Sequence, residues 1–299
     1  MAIARWAVTG SSPRISLGIA WAAVLAAVAL PATARGQEGT LQTIRDDVRQ
    51  GPAPEPASPS EVPRYDNRTA SSDTDPSWDP TALLGAAWGA AIVAASPIWV
   101  PQQLLDDHFP QPGFLLRYPY DHSDGYLKMY EGCPWARPWA VRLDAEYLDT
   151  FDRLDNVSGH LLVSTAWRFG LDASASRLQE RLGDGRRDEV ALGDCNLVYR
   201  FAQNEWAEFR AGLGANWLND ACRTDLGFNF TYSADLFPKK PWVLSAALDA
   251  GTLGHAGLFR FRTTAGIVLN RVEFYTGYEY TDIQRTHWNA LVGGVRLWF

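Results

Sequence analysis

From Pro138 to the C-terminus, apolar and polar residues alternate with a period of two in segment after segment, the pattern of strands with two unlike faces. The first segment sets Trp139, Val141, Leu143, Ala145 and Tyr147 against Arg142, Asp144 and Glu146. The same alternation recurs over 160–172, 194–201, 207–217, 225–232, 242–251, 259–269, 273–280 and 290–299. Polar stretches such as Ala202-Gln203-Asn204-Glu205 and Asn270-Arg271 fall between segments, so most are expected to be joined as hairpins.

Alternation of this kind fits a soluble barrel with its apolar face inside or a membrane barrel with its apolar face against lipid. The polar faces favour the second. Gly170, Gly212, Gly214, Gly227, Gly251, Gly266, Gly277 and Gly294 all fall on them, where water exposure would give a strand no reason to use glycine. Inside a narrow barrel those glycines leave space for Arg142, Arg168, Arg200, Arg210, Arg260, Arg262 and Arg296. Asp144, Glu146, Glu208, Asp225, Asp249, Glu273 and Glu279 share these faces, with Asp172 and Asp194, as partners for buried guanidinium groups. The expectation is an all-β chain, a closed antiparallel transmembrane barrel with these charges lining its lumen.

Aromatic residues cluster toward strand ends on the apolar face, as interface belts do. If Phe299 ends at one rim, tracing the hairpins backward places Trp242, Tyr232, Tyr199, Phe201, Phe274 and Tyr147 near it. Trp139, Trp167, Trp217, Phe259, Tyr278 and Tyr280 then fall at the other. The final segment, with Val295, Leu297 and a terminal Phe299 on one face, resembles the last strand of bacterial outer-membrane β-barrel proteins. The resemblance is one of architecture over 113–299. It implies a closed barrel with its termini in the periplasm, outer-membrane lipid around it, and Phe299 as the signal read by the barrel-assembly machinery. Nine strands cannot return the chain to the rim it started from, so ten are expected, with eight as the fallback. The tenth is sought at 124–132 (DGYLKMYEG), with 114–118 second.

Upstream of the barrel the character changes three times. Residues 1–34 combine Arg5 and Arg14, an apolar run over 15–30 and an Ala32-Thr33-Ala34 ending, the features of a secretory signal peptide. Its removal would carry the formal charge from −7 to −9. Residues 35–80 are rich in Pro, Ser and Asp and read as a disordered tether, in which Leu41, Ile44 and Val48 share a helical face suited to a short solvated helix. Residues 81–112 hold an uncharged stretch, 82–100, expected as a helix that plugs the barrel or sits in the periplasm.

A net charge of −7 argues against nucleic acid as a partner. With 46% hydrophobic, 12% aromatic and only two methionines, the composition suits a strand-rich fold better than a bundle of apolar helices. Cys133, Cys195 and Cys222 match no metal spacing; the traced topology sends Cys133 and Cys222 to outer loops, where they could pair, and Cys195 toward lipid. No cofactor or metal is expected. His160 and Ser164 share a strand face about 13 Å apart, too far for a base and its nucleophile. His255 and His287 near outer loops have no second ligand at a useful spacing, and the same holds for Asp107-His108 and Asp121-His122.

The function expected from these features is non-enzymatic: a structural role, or binding of an unspecified ligand through outer loops, the longest at 173–188. A small channel is the main alternative, and an outer-membrane hydrolase using His255 or His287 a third.

Overall fold

The computed structural model describes residues 39–50, 96–107, 111–130, 132–150, 154–183 and 185–299. The expected signal peptide, most of the expected tether and residues 81–95 lie outside these.

Ten antiparallel strands close into a barrel. Two short strands precede them, β1 (Phe114–Leu115) and β2 (Leu127–Lys128), which pair with each other. The wall is β3 (Trp139–Asp149), β4 (Leu154–Thr165), β5 (Phe169–Arg181), β6 (Arg187–Gln203), β7 (Ala207–Asn219), β8 (Thr224–Lys239), β9 (Trp242–Leu253), β10 (Ala256–Leu269), β11 (Val272–Ile283) and β12 (Thr286–Trp298). Neighbours in sequence are neighbours in the wall, and β12 returns to β3 to seal it. At the seam Phe299 and Val141 exchange backbone hydrogen bonds, at 2.9 and 3.2 Å.

Side chains obey the period-two rule with the apolar face outward. Leu226, Leu197 and Val157 are 67, 63 and 60% exposed, whereas Arg200 is 1% and Glu273 0% exposed. A soluble monomer rarely shows so continuous an apolar surface, and the inward charges match the interior of membrane barrels. The chain therefore has the architecture of an outer-membrane β-barrel. Among the described residues no helix is long and apolar enough to cross a membrane, which says nothing about crossing by strands.

The tenth strand is not where the sequence reading sought it. Residues 160–172, read as one strand, are two: β4 ends at Thr165 and β5 begins at Phe169, joined by a tight turn in which Arg168 takes a φ of 72°. A three-residue turn preserves the odd-even pattern, so alternation alone could not reveal it. The segment 124–132 instead contributes β2, which lies outside the wall. Missing one turn reverses the direction of everything before it. Trp139 and Trp167 accordingly lie at the rim of Phe299, and Tyr147, opposite Gly293, lies further from that rim than expected. The expected loop at 173–188 is also strand, with β5 and β6 paired out to Arg181 and Arg187.

Both mouths are filled by chain from upstream. At the rim away from Phe299 sits helix α1 (Thr40–Gln50), with Leu41, Ile44 and Val48 fully buried against inward-facing Leu178, Leu218, Leu253 and Ile283. The solvated stub expected within the tether is thus a plug, because the wall offers its apolar stripe a matching socket. At the C-terminal rim, Leu115, Leu116, Tyr120, Tyr126 and Leu127 pack on Phe237, Val243, Val268 and Trp298. The barrel proper therefore begins at Trp139, and 113–137 is a second plug rather than wall. Residues 96–104 are helical and dock at this same end: Gln102 donates to the Phe201 carbonyl at 2.9 Å, and Tyr232 to that of Pro97 at 2.8 Å.

Candidate functional site: the charged lumen and its plugs

Strand register creates the lumen's ion pairs. Arg296 lies opposite Asp144 on β3 and Glu273 on β11, Arg262 opposite Glu279, and Arg260 opposite Asp249. The corresponding contacts are 3.0 Å for Arg296 to Asp144, 2.9 Å for Arg296 to Glu273 and 3.8 Å for Arg260 to Asp249; Arg262 also pairs with Glu279. Other pairs cross the barrel. Arg142 on β3 reaches Asp235 on β8, half the circumference away, at 2.8 Å. Arg262 reaches Glu146 at 2.7 Å, and Arg260 reaches Asp194 at 3.4 Å. Arg210 bridges Glu208 and Asp235, while Glu208 also takes Arg200 at 3.2 Å.

Glycine provides the clearance these side chains need. A Cβ on Gly294 would lie 2.6 Å from the Tyr275 hydroxyl, which donates to Glu146 at 2.8 Å. The ring of Tyr275 also lies 4.6 Å from the Arg296 guanidinium.

Two expected lumen residues serve the plugs instead. Asp225, at the far rim, accepts from Arg49 of α1 at 3.1 Å and pairs with Arg223 at 2.7 Å. Arg168 stands in the β4–β5 turn and holds Asp107 at 2.7 Å and the Gln111 carbonyl at 3.0 Å, anchoring the chain before β1. Asp235 lies beyond the alternating segment 225–232; continuing the alternation to 235 places it inward with Asp225, Thr231 and Ser233.

His160 stands between two carboxylates, 2.6 Å from Asp172 through Nε2 and 3.4 Å from Asp144 through Nδ1. With both nitrogens engaged, the ring is a structural member of the network and has none free for a hydroxyl. His287 is exposed on the far side, and the backbone amide of His255 is taken by Val48. Among the described residues no group of three His, Cys, Asp or Glu could hold a metal ion. Cys222 lies in the β7–β8 turn at the far rim, whereas Cys133 belongs to the plug at the C-terminal rim, so the suggested pair is separated by the barrel's length; all three thiols are free. The β4–β5 turn, which reverses the chain before it, accounts for this as it does for Trp139 and Trp167.

The far plug is held by charge as well as by its apolar stripe. Glu180 accepts from the backbone amides of Thr40 and Leu41 at 3.0 and 2.9 Å, satisfying donors that a helix start leaves open and placing negative charge at the positive end of its dipole. Arg45 makes a two-pronged contact with Asp188, at 2.6 and 2.7 Å, and an ion pair with Asp220 at 3.1 Å. Arg49 also reaches Asp220, at 2.7 Å, and Asp47 pairs with Arg285. Burial pushes the Asp220 carboxyl up, but the Cys222 amide, the Arg49 guanidinium and the Arg223 amide outweigh it and hold the group at about 2. At the helix end, Val48 gives its carbonyl to His255 at 2.8 Å. Gly254 is required there, since its φ is +58° and a Cβ would strike that carbonyl.

Among the described residues a cavity of about 80 Å³ lies between the plugs, lined among others by Arg142, Asp144, His160, Asp172, Arg210 and Arg260. That is room for a few waters.

No family model matches the chain, and no curated protein matches it. Solved structures with a similar arrangement include CdiB from Acinetobacter baumannii, at 13% identity and a TM-score of 0.28 over 54% of this chain and 40% of that one. The KdgM porin matches at 10% identity and a TM-score of 0.25, over 52% of this chain and 98% of that one. Neisserial surface protein A matches at 13% identity and a TM-score of 0.17, over 54% of this chain and 97% of that one. At these scores they carry nothing about ligand or role.

Proposed function

We propose that the chain is an outer-membrane barrel that closes itself and serves the envelope as a structural or binding element, not as an open pore. The observation that supports this reading is the pair of plugs, which fill both mouths of a lumen lined by paired charges. In this reading the outward leucines, phenylalanines and tryptophans face lipid, and the rim of Phe299 faces the periplasm. Phe299 is what the assembly machinery engages. Contact with an outside partner falls to the outward surface of α1 and to the β5–β6 hairpin end, where Arg177 pairs with Glu189 and Arg181 with Asp155. A protruding strand pair takes the place of the expected loop.

Reconstitution into planar bilayers tests this directly. The expected result is no steady conductance from the intact chain at moderate voltage. A sustained ohmic conductance that falls on Arg260→Ala or Arg296→Ala would establish the channel reading instead. Membrane fractionation, with gel mobility of unboiled and boiled samples, tests the membrane placement independently.

A further inference from the structure

Beside the C-terminal rim lies a second cavity, about 480 Å³, between the inner plug and the β10–β11 turn. Arg117 enters it from the plug and Arg271 from the turn. Among the described residues neither guanidinium has a carboxylate within ion-pair distance, and the buried Nε of Arg117 has no hydrogen-bond partner. Arg117 is half-buried and Arg271 exposed in its turn. The carboxylate in the lining, Asp121, lies 3.6 Å from the ring of His122, which itself stacks on Trp135 at 4.6 Å between centroids. The cavity thus combines two unpaired cations with a flat aromatic wall.

Its surroundings point to the source of an anion. Leu269, in the same lining, is 58% exposed on the outward face, and Ile267 and Phe274, paired in register, continue that apolar surface up the wall. A phosphate held by the two guanidinium groups would therefore sit where acyl chains could lie along the barrel.

We propose that this cavity binds the headgroup of an anionic phospholipid of the inner leaflet, with Arg117 and Arg271 holding its phosphate and the His122–Trp135 stack bounding the headgroup. The proposal rests on the membrane placement given above.

The test is native mass spectrometry of the full chain in detergent, titrated with phosphatidylglycerol, with phosphatidylcholine, and with inorganic phosphate. The expected result is one phosphatidylglycerol retained in preference to phosphatidylcholine, and not displaced by millimolar phosphate. The Arg117→Gln/Arg271→Gln variant should lose roughly 25-fold in that retention, from about fivefold for each arginine. Arg271→Gln alone, in an exposed turn, should lose about fivefold and guards against misfolding of the double variant; an unchanged gel shift on boiling verifies the fold of both. Equal retention of the two lipids, or no loss in the variants, would overturn the assignment, and displacement by free phosphate would reassign the site to that ion. Failure of the membrane reading would show separately, as absence of the intact chain from the membrane fraction, whatever the arginine variants do.

Discussion

At the far rim a helix of eleven residues is held by an apolar stripe of three side chains and a ring of ion pairs, whereas the C-terminal rim is packed mainly by aromatic and leucine side chains, with Arg168–Asp107 and Lys128–Glu205 as ion pairs beside them. The helix is joined to the wall through Arg45, Arg49 and Asp47, whose partners Asp188, Asp220, Asp225 and Arg285 stand at strand ends and turns. The inner plug shares its core with Trp298 of the closing strand, and its backbone joins the wall through Gly113 and Ala166 and through Tyr126 and Glu205. One closure is a docked part; the other belongs to the barrel's own core. Charge pairs at a rim respond to salt and pH, and buried rings do not.

The largest way to break this comparison is at the inner mouth. Trp298→Ala would open a cavity among Phe237 and Tyr126 and remove the indole that donates to Glu273 at 3.0 Å. A loss of about 3–5 kcal/mol is expected, read as a lower temperature for the mobility shift of the whole barrel. At the far mouth Ile44→Ala should cost about 2–4 kcal/mol of helix docking. It should expose α1 to protease while leaving the barrel's own transition in place. If both variants lowered the barrel transition equally, the helix would be core and not a docked part.

A smaller effect sharpens the same contrast. Arg45→Ala should weaken docking by about 1 kcal/mol, and 0.5 M salt should reproduce part of it in the unaltered protein without affecting the inner mouth, as protease protection at the two ends would show. The smallest effect is that of pH. Asp220 is held at about 2, below its ordinary 3.8, so its contribution is complete above about pH 4 and is lost as pH falls from there toward 2. Hydrogen exchange across 40–50 should rise in that window in the unaltered chain and change less in Asp220→Asn.

Much of this molecule is legible in its alternation. Strand facing and the inward set from Arg142 to Arg296 follow from counting by two, because successive side chains on a strand point to opposite sides. The plugs leave a signal in the sequence too. Inward positions near strand ends turn apolar, at Leu178, Leu218 and Leu253 on one side and Phe237, Val243 and Val268 on the other, which makes sense only if something other than water meets them.

What the sequence determined alone was which side chains face in and which face out. Which of them meet was decided by the closed wall. A turn of three residues at 166–168 leaves the alternation intact while reversing the chain, so direction, and with it the rim of Trp139 and the separation of Cys133 from Cys222, was invisible to a count by two. Pairs such as Arg142 with Asp235 form across the barrel because a wall of ten strands closes narrowly enough to bring opposite sides within side-chain reach. The helix at Thr40–Gln50 is a plug for the same reason: its stripe of three apolar residues is too short to order alone, and only the assembled mouth supplies the surface that buries it.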